Sequence, residues 1–85
     1  MSPHDSDLLA LPEELRSLYD ALPAWVTRKE AAKASGYAVA AGSLANADCV
    51  GQGPATRIRC GRQVLYPRKD FVLWLAGRVT IERQG

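Results

Sequence analysis

The run Thr27-Arg28-Lys29-Glu30-Ala31-Ala32-Lys33-Ala34-Ser35-Gly36 opens and closes a helix within ten residues. Thr27 and Glu30 stand at the spacing of a capping box, in which the threonine hydroxyl accepts from the third helical amide and the glutamate reaches back to the cap. Ala31, Ala32 and the preceding Val26 are the apolar positions, and they predict an inward face. Gly36 follows the last turn, where a residue with positive φ commonly ends a helix. A helix over 28–35 with a glycine turn behind it is therefore expected.

Downstream, 39–50 is rich in alanine and carries Leu44 and Ala47 three apart, which predicts a second helix starting between Ala40 and Ser43. Gly51-Gln52-Gly53-Pro54 ends it. Thr56-Arg57-Ile58-Arg59 and Gln63-Val64-Leu65-Tyr66 then flank Cys60-Gly61-Arg62, the pattern of a hairpin around a glycine turn. Arg57 and Arg59, two apart, project from one face of their strand, and Ile58 from the other. Tyr66 is expected beneath the ribbon, and Pro67 closes it. Phe71, Trp74 and Leu75 form the buried stripe of a last helix over 68–77, followed by a short strand or extended tail over 78–81. Trp25 and Trp74 sit in or beside apolar patterns and are expected as core anchors.

Upstream, residues 1–7 have no periodic pattern. Leu8, Leu11, Leu15, Leu18 and Leu22 then recur at steps of three and four, the spacing that gathers side chains on one helix face. With Pro12 at the first helical position, Glu13 and Glu14 near the positive end of the dipole and Pro23 as the stop, a helix over 12–21 is expected. Its face, Leu11, Leu15, Leu18 and Leu22, has two readings: an extension of this chain's own small core, or a surface for self-association. The chain thus divides into a leader with an accessory amphipathic helix, 1–23, and a body, 24–85.

Composition narrows the function. The 85 residues, 47% hydrophobic and 24% charged, suit one globular domain with a modest core, since a chain this short buries only about 60% of its unfolded surface. A deep catalytic pocket is not expected. Cys49, Cys60 and a single histidine, His4, are too few for a metal site, and both thiols are expected reduced and packed as small apolar groups, although Gly61 beside Cys60 suggests an exposed turn there. The longest apolar run, 71–76, is too short to span a bilayer. Residues 1–7 are polar and acidic where a secretory leader would be basic and then apolar, so a cytoplasmic, nucleoid-associated location is expected. Net charge is +2, unevenly spread. Asp5, Asp7, Glu13, Glu14 and Asp20 against Arg16 give the leader −4, whereas ten Lys and Arg against Glu30, Asp48, Asp70 and Glu82 give the body +6. A basic body suits a polyanionic partner.

Helix, glycine turn, helix, basic hairpin, helix is the order of a winged helix-turn-helix. The expected fold is therefore mainly α with a small β-hairpin, a winged helix-turn-helix with an N-terminal accessory helix. The residues add a resemblance. Thr-Arg-Lys-Glu-Ala-Ala at 27–32, Ser-Leu-Ala-Asn at 43–46, Gly-Gln-Gly-Pro at 51–54, Cys-Gly-Arg-Gln-Val-Leu-Tyr at 60–66, and Asp70 with Trp74-Leu75 resemble the excisionase and MerR-like winged helix-turn-helix family, also called recombination directionality factors. The resemblance spans 27–75. It implies a protein of a phage or mobile element that occupies adjacent DNA sites, bends the DNA and biases a tyrosine integrase toward excision. It also implies that Ser43 and Asn46 face the major groove and that Arg57, Arg59 and Arg62 form the wing.

The chain departs from that family in two respects. The turn over 36–43 is about two residues longer than usual, and no Lys or Arg stands between residues 34 and 56. Without arginine the second helix lacks the bidentate partner of guanine, leaving Ser43, Asn46 and Gln52 for direct readout. Phosphate contacts from Arg28, Lys29, Lys33, Arg57, Arg59 and Arg62 are then expected to supply most of the affinity. Head-to-tail self-association along double-stranded DNA, through the leucine face of the leader, would restore specificity. The same fold also serves transcriptional regulators and recognition subunits of phage DNA-packaging machines. From another class, a protein-interaction adaptor would use the hairpin and leucine helix without DNA. No phosphate-binding loop, folded-region histidine or carboxylate cluster points to an enzyme, and no cofactor is expected.

Overall fold

In the computed structural model, which describes residues 8–84, four helices and three strands follow one another. They are α1 (Glu13–Ala21), β1 (Trp25–Thr27), α2 (Arg28–Ala34), α3 (Ala41–Cys49), β2 (Ile58–Cys60), β3 (Gln63–Pro67) and α4 (Arg68–Ala76). Residues 1–7, with His4, and Gly85 lie outside the described residues. The strands form one antiparallel sheet in the order β1-β3-β2. Opposed residues share a face of a sheet, so the register Val26↔Tyr66 and Arg59↔Val64 puts these four side chains on one side. Trp25↔Pro67, Thr27↔Leu65, Ile58↔Leu65 and Cys60↔Gln63 occupy the other.

The first side carries the core. Val26, Val64 and Tyr66 are buried with Ala31 of α2, Leu44 of α3 and Phe71, Val72 and Leu75 of α4. Tyr66 thus lies beneath the ribbon, as its position after Val64 and Leu65 predicts. Strand β1 was not legible in the sequence, because its three residues, the last of them the cap of α2, are too few to display alternation. Its presence corrects one expectation: with Val26 turned inward, Trp25 faces outward and is 58% exposed, so it is no core anchor.

The capping box closes as expected. Glu30 N–H donates to Thr27 Oγ1 (3.0 Å) and Thr27 N–H to Glu30 Oε1 (2.9 Å). At the other end Gly36 takes φ +65°, its N–H bonding to Lys33 O (3.0 Å) while the N–H of Tyr37 reaches Ala32 O (2.7 Å). This is a complete Schellman stop. α3 ends in the same way: Gly51, at φ +73°, bonds to Asp48 O and the N–H of Gln52 to Ala47 O (2.8 Å). Both helices therefore stop abruptly, and the chain between them is a short, hydrogen-bonded turn.

Pro12 caps α1 rather than starting it. Leu15 and Leu22 are buried in the common core, and Leu11 and Leu18 pack against it. Of the two readings of the leucine face, the structure assigns it to this chain's own core. Leu15 and Leu22 are its buried part, and Leu11 and Leu18 keep partial exposure at its edge. α1 lies against α4, and Arg68 fastens the pair. Its Nη1 donates to Leu22 O (3.0 Å), and its guanidinium stacks 4.2 Å above the Tyr19 ring. Residues 77–84 form no strand, and Val79 and Ile81 pack onto the core. No helix among the described residues is long and apolar enough to cross a membrane.

Candidate functional site

The carboxylate of Asp48, on the inner side of α3, gathers groups from three other parts of the chain. Arg28 Nη2, at the start of α2, donates to it at 2.8 Å. The Tyr66 hydroxyl of β3 donates to the same oxygen and accepts from Arg28 Nε at 3.0 Å. Arg57, at the root of the ribbon, places Nη1 3.9 Å away. Burial, reinforced by the hydrogen bond to Asp48, pushes the Tyr66 phenol above its ordinary value. The hydrogen bonds to Asp48 and Tyr66 push Arg28 upward as well. Gly53 leaves room for this cluster, because a Cβ there would overlap the Asp48 carboxylate and force it to move. An open cleft of about 330 Å³, lined by Asp48, Gly51, Gly53, Pro54 and Arg57 among others, adjoins it.

This cluster corrects the expectation for Arg28. A side chain expected to contact phosphate is instead only 28% exposed and bonded to Asp48 and Tyr66. Neither partner was legible as such, since they lie 20 and 38 residues away. The one available signal was an acidic residue next to the inward-facing Ala47.

The outer side of α3 is uncharged. Ser43 and Asn46 of α3, and Val50, the residue that caps it, are exposed at steps of three and four, opposite the buried Leu44 and Ala47. Gln52 lies beyond the helix end. Its side chain is exposed, but its backbone N–H closes α3 and its carbonyl accepts the Trp74 indole N–H at 2.7 Å. Trp74 is thus anchored as expected.

Cationic side chains bracket α3. At its start, Lys29 and Lys33 of α2 line a shallow cavity with Tyr37, Ala40 and Ala41. At its end, Arg57 reaches Asp48, and β2 continues into Arg59 and, past the Gly61 turn (φ +61°), Arg62. Arg59 and Arg62 are exposed, and Arg57 is 42% exposed. Arg59 lies on the same sheet face as Val64 and Tyr66, the face that carries the helices. Five of the six expected phosphate ligands, Lys29, Lys33, Arg57, Arg59 and Arg62, therefore remain presented to solvent.

Neither cysteine is packed into the interior. Cys49, the last residue of α3, and Cys60, at the ribbon turn, are free and exposed. Among the described residues no group of three or more His, Cys, Asp or Glu could hold a metal ion. No protein-family model, curated protein or solved structure matches the chain at a significant level.

Proposed function

We propose that the chain is a DNA-binding protein of the winged helix-turn-helix kind, in which α3 enters the major groove and the β2–β3 ribbon grips the flanking backbone. One observation supports this above the others. The exposed, uncharged stripe of α3 has Lys29 and Lys33 at its start and Arg57, Arg59 and Arg62 leading away from its end. A groove-bound helix meets base edges along its length and phosphates at either side, which is the distribution these side chains match. The Asp48 cluster holds ribbon and helix at a set angle to each other.

On this reading affinity comes from the backbone contacts. Five such contacts give log K against log salt concentration a slope of roughly −4 to −5. Titration of a mixed-sequence duplex at several salt concentrations tests it. The wild type binds at micromolar protein with that slope, and the Arg59→Ala/Arg62→Ala double variant binds more weakly with a slope shallower by about 2. Absence of binding, or identical behaviour of the two proteins at every salt concentration, overturns the proposal.

Within DNA binding, the resemblance of residues 27–75 to excisionases favours an accessory factor of recombination that occupies adjacent sites and biases an integrase toward excision. Footprinting separates this role from transcriptional regulation. Clustered repeats beside a recombination site support it, and a single site at a promoter replaces it.

A further inference from the structure

We propose that the outer face of α3 reads A·T base pairs, with Asn46 and Val50 as the side chains that determine this preference. The inference rests on the reading of α3 as the helix that enters the major groove.

The argument begins with what the stripe lacks. Guanine shows the major groove two acceptors, N7 and O6, whose best partners are the paired donors of arginine or the ammonium of lysine. No Lys or Arg stands between residues 34 and 56, so α3 offers guanine neither. Asn46 carries one donor and one acceptor side by side, the complement of adenine N7 and N6–H₂. Against guanine the same amide would set its own oxygen toward O6, a repulsive contact. The Asn46 side chain is exposed at the middle of α3 and makes no hydrogen bond among the described residues, so it can enter such a pair without breaking another.

Val50 supplies the second half. It is 69% exposed one turn beyond Asn46, an unusual place for a branched apolar side chain in a domain whose other valines include several fully or nearly buried ones. The only apolar group on the major-groove edge of the bases is the C5-methyl of thymine. Val50 caps α3 four positions after Asn46, a step that within a helix sets Cβ atoms about 5–6 Å apart, within reach of neighbouring base pairs stacked about 3.4 Å apart. A donor–acceptor amide beside an isopropyl group therefore matches adenine next to, or across from, thymine. Ser43, with a single hydroxyl, accepts or donates to any base and adds no bias.

Four alternating copolymers test this: poly(dA-dT), poly(dA-dU), poly(dI-dC) and poly(dG-dC). An I·C pair shows the major groove the face of G·C and the minor groove that of A·T. The wild type is expected to bind poly(dA-dT) about tenfold more tightly than both poly(dI-dC) and poly(dG-dC). Asn46→Ala brings poly(dA-dT) down to the level of those two. Loss of the thymine methyl in poly(dA-dU) weakens wild-type binding a few-fold, and Val50→Ala binds poly(dA-dT) and poly(dA-dU) alike. Equal binding to all four polymers overturns the inference and leaves the DNA-binding reading standing. So does poly(dI-dC) behaving like poly(dA-dT), which places the preference in the minor groove, or an undiminished preference in Asn46→Ala. No binding to any polymer overturns both.

Discussion

Arg28 and Arg59 are the same residue type with opposite fates. Arg28 turns inward to Asp48 and Tyr66, and Arg59 stands exposed on the ribbon. The division extends through the body of the chain. Arg68 is bonded to the backbone of Leu22, Arg78 lies 4.4 Å over the Trp74 ring, and Arg83 is paired with Glu14 at 2.8 Å. Lys29, Lys33, Arg59 and Arg62 are exposed and carry no ion pair among the described residues. A count of charges therefore overstates the capacity for a polyanion, because nearly half of the body's cations already have partners within the chain. Arg57 belongs partly to each group, at 3.9 Å from Asp48 yet 42% exposed.

The contrast can be broken most forcefully at Asp48. In Asp48→Ala the Tyr66 hydroxyl, whose residue is fully buried, loses its acceptor, since Arg28 can only donate. The Arg28 charge also loses its counterion. Stability is expected to fall by about 3 kcal/mol in urea denaturation. An unchanged midpoint would remove Asp48 from the architecture and with it the distinction between the two groups of arginines.

Tyr66→Phe is a milder cut, because Arg28 and Asp48 remain paired. The expected loss is about 1 kcal/mol at neutral pH. The folded-state value of the phenol is raised, first by burial and then by its bond to Asp48. The neutral form is thus favoured in the fold. That contribution is complete below pH 10.0, the ordinary tyrosine value, and is lost as pH rises through the folded value. Wild-type stability should accordingly decline at alkaline pH more steeply than that of Tyr66→Phe, as followed by circular dichroism.

The Glu14–Arg83 pair should give the smallest effect. Its hydrogen bond to Arg83 lowers the Glu14 value below the ordinary 4.5. Any stabilisation is therefore present above pH 4.5 and lost as pH falls through the lower folded value. Both side chains are exposed, and solvent and salt screen such a pair. Glu14→Gln should leave the urea midpoint at neutral pH within error, and a clear loss would place Arg83 among the arginines that hold the fold.

Much of the scaffold was legible. The Thr27/Glu30 spacing located the start of α2, Gly36 and Gly51 its stop and that of α3, and the Gly61 turn the ribbon. These signals lie within a few residues of what they control, and local hydrogen bonding decides them. What escaped was nonlocal. β1 exists because β3 offers it a partner about forty positions away, and only that pairing turns Trp25 outward. Arg28 left the expected binding set because Asp48 and Tyr66 arrive from distant elements. Cys49 and Cys60 are exposed for a local reason instead, one as the last residue of a helix and the other beside the Gly61 turn. In the candidate site, Ser43, Asn46, Arg59 and Arg62 stand on the surface as their patterns implied, and the Asp48 cluster behind them had no sequence signature.

The bond from the Trp74 indole N–H to the Gln52 carbonyl ties α4 to the peptide that terminates α3. Indole fluorescence responds to whether its N–H is bonded or faces water, so Trp74 acts as an internal optical gauge of the seat of that helix. In a Trp25→Phe background the gauge is read alone. A partner that docks on a rigid α3 leaves the emission in place, whereas one that draws the helix from its bed announces itself by a spectral shift before any atom of the partner is seen.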